Sequence, residues 1–406
     1  MEREASLFDI SSRIVRFVRL DKPLLPIYEK HDCNTHILRC LMFSKFLLSS
    51  AAMILALAPA PLLADPITFK DVTGAEVTLP KPATRIVTLP QPGAATVIAV
   101  DGTSEHLVGM NPGSRKAFET GLLKKMFPDA ASIESGIVAE GGNGWMPNVE
   151  AIAALRPDLV IQWGGRGDEL VAPLRNAGIP VALMVGGGNG GTEELARENI
   201  SLVANILGKP EKARALFAWR DEVIADVKST LAAHPAERKP KILHLRSSKG
   251  KFTATGEKSY QNFFITLVDG DNVGKGLGVQ AEVNAEQIAA RNPDLIMLTA
   301  AETDAGRETI LENEVLSQTT AAKTGRVYKT PNGGYVWDSA SHESPFTWMW
   351  LANLAHPNLF HFDLRAEVKK GFERLYNYSP TEDEIDAVLK LDLNASASNY
   401  QQFARK

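Results

Sequence analysis

Two glutamates stand at equivalent steps of a repeated segment: Glu150 in NVEAIAALRPDLVI (148–161) and Glu286 in NAEQIAARNPDLIM (284–297), which match at eight of fourteen positions. Each falls off the apolar face of a short expected helix, in the first turn, where the helix dipole favours an anion. One copy alone reads as a solvated helix-start carboxylate; two copies at the same place argue for a paired use. A second group has side chains suited to holding a bulky or anionic molecule: Gln91, Trp145, Trp163, Arg166, Arg246, Tyr260, Tyr335, Trp337 and His342. Aromatic rings offer flat apolar walls, and guanidinium groups match anions. His342 lies in a Gly-, Asp- and Ser-rich loop, a type that is exposed and often functional, although a loop histidine more often binds nothing. Trp348 and Trp350 read as core of a terminal helix.

Catalytic and cofactor patterns are not met. Gly186–Gly191 (GGGNGG) lacks the lysine and Ser/Thr of a P-loop. Asp269-Gly-Asp271-Asn-Val-Gly274 opens like a calcium loop, but Val273 takes a ligand position and Gln280 replaces the closing glutamate. Gly274, Gly276 and Gly278 have the wrong spacing for a dinucleotide fingerprint, which leaves a dinucleotide-dependent oxidoreductase as a weak rival. There is no G-x-S-x-G and no H-E-x-x-H. No enzymatic activity, resident cofactor or metal site is expected.

The elements that position these residues follow from the repeat. In each copy an amphipathic helix (Val149, Ile152 and Leu155 on one side of the first) runs into a Pro-Asp turn and an apolar strand, the αβ half of a parallel-sheet unit. Two open α/β lobes are therefore expected. Residues 67–79 read as a hairpin around Thr73-Gly74, and strand and helix then alternate as far as Val185. The longest helical stretch runs from Thr192 to about Ala233, broken at Gly208-Lys209-Pro210; its second part is a candidate spine between the lobes. Strands are expected at Lys241–Arg246, Leu295–Thr299 and Arg326–Thr330, with a turn and then a helix at Tyr260–Val268 after the first. The tail after Pro345 reads as helical, with Ser379-Pro-Thr-Glu-Asp-Glu starting a last helix. Open α/β sheets bind ligands beyond the carboxyl ends of their strands, and the nine residues named above fall at or near those ends.

From Met42 the chain has the layout of a secretory signal peptide: Lys45, an apolar run from Phe46 to Leu57, and small residues ending at Ala64. The run is too short for a membrane span of about 20 residues. The expected organisation is 1–41 an extension from a start site placed too early, 42–64 the signal, 65–207 an N-terminal lobe, 208–235 a connecting helix, and 236–406 a C-terminal lobe with terminal helices. Both cysteines, Cys33 and Cys40, precede Ala64, so the exported chain would have neither disulfide nor thiol chemistry. The net charge of −4, with no basic run interleaved with aromatics, argues against nucleic acid.

The hairpin followed by RIVTLPQPGAATVIAVDGTSEHLVGM, the two E-x-I-A-A-x-x-P-D-L copies, the long connecting helix and RVYKTPNGGYVWDSASHESPFTWMWLANLAHPNLF together resemble the periplasmic binding proteins of ABC importers for ferric siderophores, haem and vitamin B12. The resemblance spans about 67–390. It implies two Rossmann-like lobes joined by one long α-helix, with a ligand cleft between them. It also implies an exposed glutamate on each lobe that pairs with arginines of an ABC permease dimer in the inner membrane, served by its ATPase; Glu150 and Glu286 fall on those positions. The implied cargo is a metal chelate, a ferric siderophore first, with cobalamin or haem as alternatives. The implied form is a periplasmic monomer.

Overall fold

The computed structural model describes residues 65–139, 145–186, 192–235, 237–248, 250–301 and 306–405. The signal segment, both cysteines and most of the Gly141–Trp145 and Gly186–Gly191 stretches lie outside the described residues.

Strands β1 (Ile67–Lys70) and β2 (Glu76–Leu79) form the expected antiparallel hairpin. Asp71 closes its turn by accepting hydrogen bonds from the Thr73 amide and hydroxyl and the Ala75 amide, while Gly74 supplies a φ of 82° that a Cβ would disfavour. Next come β3 (Ile86–Thr88), β4 (Leu107–Met110), β5 (Leu159–Gly164) and β6 (Val181–Val185), a parallel sheet in the order β4-β3-β5-β6. These strands are mostly apolar, with Thr88 and Gln162 the buried exceptions, because helices cover both faces. Helix α1 (Gly93–Asp101) follows β3, α2 (Pro112–Thr120) and α3 (Leu123–Met126) follow β4, and α4 (Val149–Ala154) and α5 (Ala172–Asn176) precede β5 and β6.

Helices α6 (Glu193–Ile206) and α7 (Pro210–Ala233) are separated where sequence expects it, with Gly208 at a φ of 66° and Pro210 opening α7. The 24 residues of α7 span about 36 Å. Beyond it, β7 (Lys241–Ser248), β8 (Lys251–Thr255), β10 (Gln280–Val283), β11 (Leu295–Leu298) and β12 (Val327–Lys329) form a second sheet in the order β10-β8-β7-β11-β12, with the two-residue β9 (Asp271–Asn272) beside β7. Strands β7, β11 and β12 are parallel; β8 and β10 are antiparallel. This differs from the sequence reading, which ended the first strand at Arg246 and placed a turn before Tyr260. Phe252 and Ala254 alternate inward from β8 and complete that sheet's outer core. Helices α8 (Tyr260–Leu267), α9 (Ala285–Arg291), α10 (Glu308–Leu311) and α11 (Thr320–Lys323) flank it, and α12 (Ser344–Ala355), α13 (Leu364–Tyr376) and α14 (Glu382–Val388) close the chain. Thr381 and Glu384 form a capping box at the start of α14.

The repeat has a complete physical reading. Asn148 and Asn284 cap α4 and α9 by accepting from the amides of Ala151 and Gln287. Ile152 and Ile288 are the buried anchors. Each copy then turns through a left-handed residue, Arg156 at a φ of 46° and Asn292 at 41°. The aspartate clamps the start of the neighbouring strand: Asp158 Oδ2 accepts from the Thr84 amide and hydroxyl and the Arg85 amide, and Asp294 Oδ2 from the Lys241 amide and Arg238.

Each sheet has a private outer core. That of the first includes Val87, Ile152, Val160 and Leu183; that of the second includes Leu243, Ile288, Ile296 and Val327. The inner faces share one core, in which Ile86, Ile161 and Met184 of the first sheet belong with Ile242, Met297 and Tyr328 of the second. Helices α1, α6, α7, α8, α12 and α13 fill it. Trp348 and Trp350 are fully buried there, as expected.

Candidate functional site

The carboxyl end of β5 carries Trp163 and, two residues beyond the strand, Arg166. The guanidinium carbon of Arg166 lies 4.4 Å from the ring centroid of Trp145 and 5.2 Å from that of Trp163. The two indoles meet edge to face at 6.4 Å and 82°. Such cation–π contacts at an exposed site contribute about 0.5–1 kcal/mol each, which favours this placement of an otherwise flexible side chain. Gly186 leaves it room: a Cβ there would sit 3.1 Å from Arg166 Nη2. The Trp145 segment is fixed by buried Gln162, whose amide donates to the Trp145 and Leu170 carbonyls at 3.1 and 3.2 Å. Sequence gave no signal for Gln162, which reads as one polar residue in an apolar strand. Arg166 is exposed and has no carboxylate partner among the described residues. Trp163 is buried, and its Nε1 has no hydrogen-bond partner among them.

The other candidates divide. Arg246 is exposed on β7. Gln91 is half-buried and donates to Asn111 Oδ1 at 3.0 Å, the oxygen that also caps α2. Four are sealed inside. Trp337 is 0% exposed, stacked on Phe346, and donates from Nε1 to Glu343 at 2.9 Å. His342 is 1% exposed, with Nε2 2.7 Å from the Tyr376 hydroxyl and Nδ1 3.4 Å from Thr96 Oγ1. Tyr260 donates to Glu193, and Tyr335 packs with Ala94, Ile98 and Phe118 around a small cavity. The exposed-loop reading of His342 is thus corrected, and Trp337, Tyr260 and Tyr335 pack against protein in this structure. The 331–343 loop lies against Tyr376 of α13 and Thr96 of α1, and that packing could not be read from the loop's composition.

Two groups in this buried cluster are shifted in opposite directions. Burial raises Glu343 to about 7, against hydrogen bonds from Tyr376, Trp337 and the Gly334 amide. Burial, with the Arg220 charge adding to it, lowers His342 to about 3. Since Tyr376 donates to Glu343, its oxygen accepts from His342 Nε2–H, which leaves Nδ1 to accept from Thr96.

A second buried centre went unseen in the sequence, where it reads as ordinary helix charges. Arg220, midway along α7 and 0% exposed, donates to Glu193 at 2.5 and 2.6 Å and to the Ser341 carbonyl at 2.9 Å. Its guanidinium also lies 4.9 Å from the Trp348 ring centroid.

Elsewhere, a surface cavity of about 650 Å³ opens beside the start of α13, but its Arg365, Lys369 and Arg405 are all ion-paired with Glu382, Asp383 or Asp386. The calcium-like loop is occupied by ion pairs, Asp269 with Lys239 and Asp271 with Lys275. Among the described residues no group of three or more His, Cys, Asp or Glu is placed to hold a metal ion, and no helix is long and apolar enough to cross a membrane. Glu150 and Glu286 are both exposed in the first turns of α4 and α9, with no ion-pair partner among the described residues.

Residues 114–333 match the family described as periplasmic binding protein. The vitamin B12-binding protein of Salmonella typhimurium is 28% identical over 173 residues, 42% of this chain and 60% of that protein. The Fe(3+)-citrate-binding protein YfmC of Bacillus subtilis is 23% identical over 224 residues, 55% of this chain and 68% of that protein. The chain therefore spans about three fifths to two thirds of the length of these relatives. The crystal structure of a periplasmic solute binding protein from Veillonella parvula superposes with a TM-score of 0.73 at 31% identity, covering 82% of this chain and 99% of that one. With more than half its length matched and a two-lobed α/β architecture in common with that structure, the chain belongs to the periplasmic binding protein family.

Proposed function

We propose that the protein is the solute-binding component of an ABC importer: exported to the periplasm after cleavage near Ala64, it captures an anionic metal chelate, a ferric siderophore first, between its lobes and delivers it to the permease. The observation that carries this reading is Arg166, held between Trp145 and Trp163 with no carboxylate partner among the described residues. A fixed, uncompensated guanidinium beside two indoles suits a ligand that is both flat or bulky and negatively charged. Arg246 on the second lobe would face the same ligand, and Gln91 would hold the loop beside it. Glu150 and Glu286, one exposed carboxylate per lobe, would dock the permease.

Tryptophan fluorescence of the purified protein, titrated with ferric citrate, a ferric catecholate, cobalamin and haem, tests the reading. A ferric chelate is expected to give saturable quenching, and Arg166→Ala to weaken it roughly tenfold, or about 1.4 kcal/mol. If cobalamin binds and Arg166→Ala leaves its affinity unchanged, a corrinoid carrier replaces the siderophore reading; the B12-binding relative is the observation favouring that second case. Mass spectrometry of the native protein tests export, and a mature N-terminus upstream of Met42 would refute it.

A further inference from the structure

The ion pair of Glu193 and Arg220 joins three parts of the molecule at one point. Glu193 opens α6, which belongs with the first sheet; Arg220 is on the connecting helix α7; Tyr260 and Ser341 come from the second half of the chain. Both carboxylate oxygens are engaged. Oε1 accepts from Arg220 Nε at 2.5 Å and Arg197 Nε at 3.0 Å, and Oε2 from Arg220 Nη2 at 2.6 Å and the Tyr260 hydroxyl at 3.1 Å. The third edge of the guanidinium reaches the Ser341 carbonyl. Thus Glu193 contacts the second half directly through Tyr260, and Arg220 reaches both halves from the helix between them.

We infer that Glu193 and Arg220 form a latch that fixes the separation of the two lobes. They are positioning residues, acting on the space between the lobes and not on a ligand. An apolar pair of similar volume would pack as well, because taking two charges out of water costs several kcal/mol that the pairing only offsets. What an ionic pair adds is direction. The planar fork engages both carboxylate oxygens only at one distance and orientation. A displacement of α6 relative to α7 by about an ångström would break the fork and leave a fully buried guanidinium uncompensated, and one relative to α8 would break the Tyr260 bond. The shared inner core permits sliding of apolar surfaces; the latch does not.

The inference uses the two-lobe architecture and requires no ligand, so its test stands apart from that of the proposed function. In the full chain carrying Cys33→Ser and Cys40→Ser, spin labels at Ala153→Cys and Ala290→Cys, exposed positions of α4 and α9, report the interlobe distance by pulsed electron resonance. The parent should give a single narrow distribution. The double variant Glu193→Leu/Arg220→Met should keep a melting temperature within a few degrees of the parent while its distribution becomes at least twofold broader. An equally narrow distribution in that folded variant would overturn the latch. If the double variant does not fold, Glu193→Gln decides by the same measure, since it keeps the shape and removes the charge: broadening supports the latch and an unchanged width rejects it.

Discussion

His342 and Glu343 are consecutive, fully buried and titrate in opposite senses, which makes them a pair whose effects on stability can be separated. Glu343 is raised from 4.5 to about 7, so its contribution is fully present below pH 4.5 and is lost as pH climbs through 7. His342 is depressed from 6.5 to about 3, so its contribution is present above 6.5 and is lost as pH falls toward 3. Between pH 4.5 and 6.5 the two slopes, each about 1.4 kcal/mol per pH unit, oppose and cancel. In chemical denaturation, His342→Gln should therefore become more stable as pH is lowered from 7 to 5, by on the order of 2 kcal/mol, and Glu343→Gln less stable over the same interval. The same pH response in both variants would show that the two groups do not titrate as a buried pair. The cluster also shows why residue types in a loop are a poor guide. His342 looked exposed because its neighbours are small and polar, whereas its burial comes from α13, some thirty residues further along the chain. The placement of Trp163 and Arg166 was legible because they sit at the end of an unmistakable strand.

At the level of elements, the repeat could be read because several of the steps its two copies share have a local cause: an asparagine cap, an isoleucine anchor, a turn at proline, and an aspartate clamp. The copies differ at the turn. Arg156 and Asn292 both adopt the left-handed region, which asparagine tolerates and arginine pays for. Exposed Arg156→Asn should raise unfolding stability by about 0.5–1 kcal/mol, and Asn292→Arg should lower it by more than that. Asn292 also accepts from Thr320, so its loss should be the larger effect; no gain in the first variant would mean the turn is unstrained at Arg156. Strands β8 and β10 carry no clear sequence signal because Lys251–Thr255 and Gln280–Val283 are short and mixed in polarity. β8 folds back on β7 as a hairpin and β10 joins β8 from further along the chain, and no period in so few residues announces either. The close crossing of α12 and α13 was equally hidden. A Cβ at Gly371 would lie 2.2 Å from Phe346 Cζ, so the glycine is a packing requirement and not a helix defect.

For the whole molecule, the placement of one exposed glutamate on each lobe gives the docking proposal its sharpest form. Glu150→Arg and Glu286→Arg should leave chelate affinity unchanged and slow uptake in vesicles reconstituted with the permease. The double change should be worse than either single one and the defect softened by salt, because complementary charge acts mainly on encounter and orientation. Unaltered transport by the double variant would end the docking assignment. The shared inner core sets a second expectation. Because α7, α12 and α13 bury apolar side chains from both sheets in one cluster, scanning calorimetry should show a single cooperative transition for both lobes, and two resolved transitions would contradict it. The same core bears on heredity. Two recognisable copies of one segment invite the idea that lobes are exchangeable modules, yet a recombination joint placed between them would strand half of a common interior on each side. A productive exchange would have to carry the spine and both terminal helices with the lobe they complete, so the unit of exchange is larger than the repeated segment.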